Sequence, residues 1–212
     1  MIKLGLTPHC KNSEANGTGP REGGNLPLVS VVIPTCDRRD KVCRCTESLL
    51  ESNYPSLEIV VVDDDSSDDT FQCLTTRFPQ IRVLRTFKSM LVSRARNIGI
   101  KSASAKLIFL IDDDNVVHRD AIQNMVNAIT KIPDVGIVGP VMYYYADRSR
   151  VWCSGVRRNY LTSLTNILSF DPNKSSIVNP YDTEDLPNAF MVKREVFESI
   201  GYFDETNFPQ HY

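Results

Sequence analysis

The chain is short of net charge, of long apolar runs and of paired cysteines. It carries 24 Lys and Arg against 26 Asp and Glu, a formal balance of −2. So even a mixture gives no field able to gather nucleic acid or an anionic membrane surface, so nucleic acid is not expected as a partner and any ligand must be held by a local site. No apolar run approaches the ~18–20 residues needed to span a bilayer, and the N-terminus lacks the apolar core of a secretory signal. None of the six cysteines, Cys10, Cys36, Cys43, Cys45, Cys73 and Cys153, forms a C-x-x-C pair. Cys43-x-Cys45 is tighter than the usual zinc spacing. Scattered thiols in such a chain read as reduced and intracellular. The expected location is cytoplasmic, with peripheral association at the cytosolic membrane face left open. The tripeptides Asn16-Gly17-Thr18 and Asn173-Lys174-Ser175 match a glycosylation acceptor, a match common by chance. No internal repeat is visible.

What is present is an ordinary globular composition, 42% hydrophobic and 24% charged over 212 residues, enough for one domain or one and a half. Residues 1–27 are rich in Gly, Pro, Asn and Ser and read as a flexible tail. The folded part is expected over 28–212. Within it, Val29–Ile33, Leu57–Val62, Ile81–Leu84, Leu107–Ile111 and Val135–Val138 are short, continuous apolar runs, which indicate buried strands. Helical patterns fall between them, over 38–52, from Ser67 or Asp68 to Phe78, over 91–104 and over 120–131. After Tyr143 the pattern is loop-rich until a strand at 188–192 and a helix from Arg194 to Ile200, ended by Gly201. Alternation of this kind predicts an α/β fold, a three-layer α/β/α sandwich with a mainly parallel sheet. Ligands of such sheets bind in the crevice outside the strand C-termini.

Two acidic runs stand where that crevice should be. Val60-Val61-Val62 leads directly into Asp63-Asp64-Asp65-Ser66-Ser67-Asp68-Asp69, and Leu110-Ile111 leads into Asp112-Asp113-Asp114. Carboxylates converging on one edge repel one another unless a cation joins them. Hard ions with oxygen ligands are the natural guests, and Mg²⁺ or Mn²⁺ would in turn take phosphate oxygens. Lys88, Arg94 and Arg96 supply positive groups on and before the intervening helix. Asp68, Asp69 and Thr70 read as a solvated turn and helix cap.

In order along the chain, five segments resemble family 2 glycosyltransferases. They are Val31–Arg38, Glu58–Asp68, Ser93-Arg94-Ala95-Arg96-Asn97-Ile98-Gly99-Ile100, Leu110–Asp114, and Phe190–Arg194 with Gly201-Tyr202-Phe203-Asp204-Glu205. The resemblance implies a glycosyltransferase A-type fold with a Rossmann-like nucleotide-binding half over 28–142 and an incomplete acceptor side over 143–212. Pro34, Thr35 and Asp37 would line the nucleoside pocket, Asp64 would bond the base, and Arg96 would hold the base end of the donor. Asp112 and Asp113 would lie near the ribose, and Asp114 would bind the metal, Mg²⁺ or Mn²⁺. The implied reaction moves a sugar, with inversion, from a nucleotide-diphosphate sugar to an acceptor hydroxyl on a glycan, lipid-linked or protein acceptor.

The sequence departs from the family pattern in three places. Asp65 stands where Gly is usual, which demands an Asp tolerant of left-handed backbone. Asp37 replaces the usual Asn. The acidic segment expected to hold the general base would lie beyond Tyr212, so the catalytic base is unassigned, and Asp204 is expected to cap its own loop. A nucleotide-sugar-binding module without turnover is therefore the alternative. A nucleotidyltransferase would want a glycine-rich loop after the first strand, where Thr35-Cys36-Asp37-Arg38-Arg39 has none. His118-Arg119-Asp120 matches a kinase tripeptide without the rest of that signature, and His211 is read as having no role.

Overall fold

The computed structural model describes residues 2–5, 26–169, 181–186 and 188–210. Most of the proposed tail, both glycosylation tripeptides, Cys10 and His211 lie outside the described residues. The elements are β1 (Ile2–Gly5), β2 (Val29–Thr35), α1 (Arg39–Leu50), β3 (Leu57–Asp63), α2 (Thr70–Arg77) and β4 (Arg82–Arg85). There follow α3 (Leu91–Ser102), β5 (Leu107–Ile111), α4 (Ala121–Lys131), β6 (Ile137–Pro140), β7 (Met142–Tyr143) and β8 (Val151–Cys153). The chain then forms β9 (Gly155–Asn159), β10 (Leu164–Leu168), β11 (Tyr181–Thr183), β12 (Ala189–Lys193) and α5 (Arg194–Ile200). Among the described residues no helix is long and apolar enough to cross a membrane.

The central sheet has eight strands in the order β11-β1-β6-β12-β5-β2-β3-β4. The neighbours β4, β3, β2 and β5 pair in parallel. β12 is antiparallel to both its neighbours, β5 and β6, which sets β6 in the same direction as β5. The sheet is thus mainly parallel, as expected, with reversed strands at β12 and β11. One expectation is corrected: residues 2–5 are not part of a loose tail but form β1, paired with β6 on one side and β11 on the other. Four residues are too few to show a period, and the backbone pairing that holds them comes from segments more than a hundred residues away.

Alternation along the strands builds three layers. Val29, Val31 and Ile33 of β2, Ile59 and Val61 of β3, and Leu107, Phe109 and Ile111 of β5 face α1, α2 and α4. Val32, Ile108, Leu110 and Val192 face the opposite way, toward α3 and α5, and Val60 and Val62 meet Ala95 of α3. Because both faces are covered, these strands are apolar without a polar face. Ser30 is a buried polar residue within β2; its hydroxyl donates to Glu58 and accepts from the Ala105 amide at 3.0 Å. Arg194 closes the end of α3 and the turn after it: its guanidinium donates to the carbonyls of Ile100, Ala103 and Ala105 at 3.2, 2.6 and 2.8 Å. Cationic donors at a helix C-terminus satisfy orphan carbonyls and oppose the dipole.

Candidate functional site

The edge at the C-termini of β2, β3 and β5 is where the site residues gather. β2 and β5 pair only as far as Val32 opposite Leu110, while β2 runs on to Thr35. Pro34 lies in this stretch, where its missing N–H leaves no ladder bond unmade toward β5. Thr35, 4% exposed, donates its hydroxyl to Asp113 at 2.7 Å and so links the loop after β2 to the loop after β5. Asp37 links it to the loop after β3: its carboxylate accepts from the Ser67 amide (2.6 Å), the Ser67 hydroxyl (3.0 Å) and the Asp68 amide (3.1 Å). Those donors, Asp68 first, hold the Asp37 carboxyl below the usual carboxylate value. Asp37 has φ 51° and Asp65 has φ 61°, left-handed conformations that Asp accepts better than most side chains. The turn at Asp65 is the one in which the sequence required such a residue.

Asp64, 5% exposed, is surrounded by donors. It accepts from the hydroxyls of Thr86 (3.0 Å) and Ser89 (3.1 Å) and from the amides of Met90 (2.8 Å) and Leu91 (2.9 Å). A carboxylate at the first amides of α3 caps that helix from a distance and favours its dipole. It also holds Leu91 at φ 66°, a backbone state rarely adopted by a branched side chain.

The acidic triplet does not close into one ligand set. Arg96, 2% exposed, donates to Asp112 at 2.5 Å. Arg38 donates to Asp113 at 2.8 Å and to Asp114 at 3.2 Å, and Lys41 stands 3.9 Å from Asp114. Among the described residues no three carboxylate, imidazole or thiol groups are grouped as metal ligands. The carboxylates do lie together at this edge, Asp113 and Asp114 sharing the Arg38 guanidinium, with side-chain cations between them. Each has turned onto a cation from its own chain, which lowers their mutual repulsion. Burial raises the pKa of both Asp112 and Asp113, opposed by Arg96 for the first and by Thr35 and Arg38 for the second. Asp114 is the most open, with 41% of its side chain exposed.

Helix α3 carries one residue for each task. Ala95 packs on Val60 and Val62, and Arg96 balances Asp112 while lying 5.7 Å from the Phe203 ring centre. Asn97 clasps the segment after α5: its amide donates to the Phe203 carbonyl and to Glu205, both at 2.9 Å, and its oxygen accepts the Phe203 amide at 3.1 Å. Ser93 extends the clasp with a hydroxyl bond to the Phe208 carbonyl at 2.6 Å. Gly99 allows the approach, since a Cβ there would stand 2.3 Å from Val32 Cγ1. Arg94 stands 3.8 Å from Glu205. Asp204 caps its own loop as expected, accepting from the amides of Thr206 (3.1 Å) and Asn207 (2.9 Å). Arg38 was given no role of its own from the sequence; it sits one residue after Asp37, so position in the motif was the available signal.

A three-layer sandwich that delivers acidic loops from adjacent parallel strands to one edge is the glycosyltransferase A-type fold. Mannosyltransferase PcManGT from Pyrobaculum calidifontis, solved in complex with GDP-Man and Mn²⁺, superposes with a TM-score of 0.62 at 20% identity, over 89% of this chain and 52% of that one. Residues 1–349 of S. aureus TarS superpose with a TM-score of 0.63 at 17% identity, over 84% of this chain and 51% of that one. The model for glycosyl transferase family 2 matches residues 30–201, and the chain belongs to that family. Among curated relatives, glycosyltransferase GlyG of Streptococcus pneumoniae serotype 4 is 28% identical over 125 residues, 58% of this chain and 41% of that protein. Protein y4gI of Sinorhizobium fredii is 34% identical over 209 residues, 88% of this chain and 21% of that one. The Escherichia coli β-1,3-glucosyltransferase WfgD is 29% identical over 105 residues, 49% of this chain and 42% of that one. The chain therefore spans less than half the length of these three relatives.

Proposed function

We propose that this chain is the donor-binding part of an inverting glycosyltransferase that takes a nucleotide-diphosphate sugar with Mg²⁺ or Mn²⁺ and passes the sugar to an acceptor hydroxyl. The observation that carries the reading is the meeting of three strand-end loops, tied by Thr35 to Asp113 and by Asp37 to Ser67 and Asp68. Pro34, Thr35 and Asp37 line the nucleoside pocket, and Asp64, whose oxygens are held by residues 86–91, bonds the base where one of those donors gives way. Arg96 holds the base end of the donor through its fixed place beside Asp112. Asp112 and Asp113 stand toward the ribose, and Asp114 takes the metal.

The residues present fit an ion that arrives with the donor. Asp114 offers one open carboxylate, and Mg²⁺ commonly uses one or two carboxylates with substrate phosphates and waters completing its shell. When bound, the ion neutralises the charge that develops on the departing nucleoside diphosphate. Arg38, which donates to Asp113 and Asp114 at this edge, would add charge-assisted hydrogen bonds to the same diphosphate. The sugar is transferred by a single displacement at the anomeric carbon, with a general base deprotonating the acceptor hydroxyl. The acceptor is a glycan, a lipid-linked sugar or a protein; WfgD is named for an undecaprenol diphosphate-linked acceptor.

A second reading, donor binding without turnover, is favoured by one observation. The carboxylates nearest the expected base segment are already engaged, Asp204 by Thr206 and Asn207 and Glu205 by Asn97. Incubation with UDP-, GDP-, dTDP- and CDP-sugars plus Mn²⁺, with nucleoside diphosphate release followed beside equilibrium binding, separates the two. Release supports the transferase, binding alone supports the module, and neither refutes both.

A further inference from the structure

The thiols of Cys43 and Cys73 lie 3.4 Å apart, sulfur to sulfur, between α1 and α2. They form the middle of three rungs. Arg39 bridges Asp69 at 2.9 Å on one side, and Arg77 bridges Glu47 on the other. Positions 39, 43 and 47 stack on one face of α1, and 69, 73 and 77 on one face of α2, since residues four apart are neighbours on a helix. The rungs occur in the same order on both helices, so the helices run the same way and in register. A charged rung on each side fixes the separation of the two sulfurs. Closing them to a disulfide bond of ~2.05 Å takes a movement of ~1.4 Å.

We propose that Cys43 and Cys73 are a dithiol that closes to an intramolecular disulfide by exchange with a low-molecular-weight disulfide. Access is through a cavity of about 400 Å³ that both thiols line, together with Arg39, Arg44 and Arg77. Cys73 is part-exposed and Cys43 buried. Burial and the hydrogen bond to Cys73 push the Cys43 thiol up, and Cys73, the more exposed of the two, meets the incoming disulfide first.

The Cys73 thiolate attacks one sulfur of the incoming disulfide, forms a mixed disulfide and expels a thiolate, which takes up a proton. Cys43 then loses its proton and attacks the Cys73 sulfur, and the second small thiol leaves. Two protein thiols are oxidised and one small disulfide is reduced to two small thiols. Because α1 and α2 begin directly after the loops that carry Asp37 and Asp64, closure of the middle rung ties those two loops together.

The test is incubation of the protein with oxidised glutathione, alkylation of remaining thiols and peptide mapping. The expected result is loss of both Cys43 and Cys73 as alkylatable thiols with recovery of a Cys43–Cys73 crosslinked peptide, while the buried Cys45 and Cys153 stay alkylatable after denaturation. In Cys43→Ser the resolving thiol is gone, so a glutathione adduct is retained at Cys73. Recovery of both thiols in the wild type under conditions that modify exposed Cys36, or a stable glutathione adduct at Cys73 without a crosslink, would overturn the proposal.

Discussion

Gly99→Ala places the account of α3 under the most direct stress. The added Cβ would stand 2.3 Å from Val32 Cγ1, 3.2 Å from Val62 Cγ2 and 3.4 Å from Val32 Cβ. Carbon atoms pack at about 3.5–4.0 Å, so the closest contact is short by more than an ångström. Val32 cannot give way, since its strand is paired on both sides, to β3 and to β5, and the residue is 0% exposed. Helix α3 must lift instead, carrying Arg96 and Asn97 with it. Overpacking of this kind costs ~1–3 kcal/mol, and the depth of the overlap argues for the upper end. Against it, Ala is the better helix former by ~1 kcal/mol. The clash wins, leaving a net loss of ~2 kcal/mol, or ~4–8 °C in Tm for a chain of this size. Chemical and thermal denaturation of Gly99→Ala, Val32→Ala and the double variant measures it. Val32→Ala removes the clashing methyls, so the double variant is expected to be more stable than the sum of the single losses by ~1 kcal/mol or more. A Gly99→Ala protein as stable as the wild type, or strict additivity, would refute the packing argument.

Three further outcomes follow from the same site. Asn97→Ala removes three bonds that hold the chain at Phe203 and Glu205; it should cost ~1–3 kcal/mol and speed hydrogen exchange at the Phe203 amide, with the central strands still protected. Asp64→Asn keeps the shape but trades a carboxylate oxygen for a donor among donors, so a loss of ~1–3 kcal/mol is expected, with faster exchange of the Met90 and Leu91 amides. The Asp37 carboxyl, depressed by the Asp68 and Ser67 bonds, should titrate by NMR below its ordinary value of 3.8. Its contribution to stability is complete above the unfolded value and disappears as pH falls through the lower folded value; a midpoint at or above 3.8 would contradict the bonding pattern.

The central sheet was legible because each strand is a short β-branched run with a helix after it. Leu107–Ile111 was read at its observed ends, and Arg194–Ile200 likewise. Direction was not legible in the same way. Nothing in Ala189–Lys193 marks it as antiparallel, since a strand buried on both faces looks alike whichever way it runs. The small β8, β9 and β10 fell in a region read as loop, because Arg157, Arg158 and Asn159 occupy a strand exposed at that end. The acidic loops were legible as chemistry but not as geometry. Composition placed Asp112, Asp113 and Asp114 at a strand end, whereas their pairing with Arg96 and Arg38 depends on which helix crosses which strand. Asp64 was assigned to the base from resemblance, while its four donors in residues 86–91 come from a segment whose return to the β3 loop no local pattern announces.

The measurement that tests the donor-site claim most directly is calorimetric titration of UDP, GDP, dTDP and CDP, with Mn²⁺ and with EDTA, into the wild type and Asp114→Ala. Asp114 is exposed enough that its truncation should leave the fold intact, which a matching Tm would verify. The account predicts that one nucleotide binds in Mn²⁺ and that EDTA and Asp114→Ala each abolish that binding. Binding indifferent to both, or no binding of any nucleotide by the wild type, would contradict it.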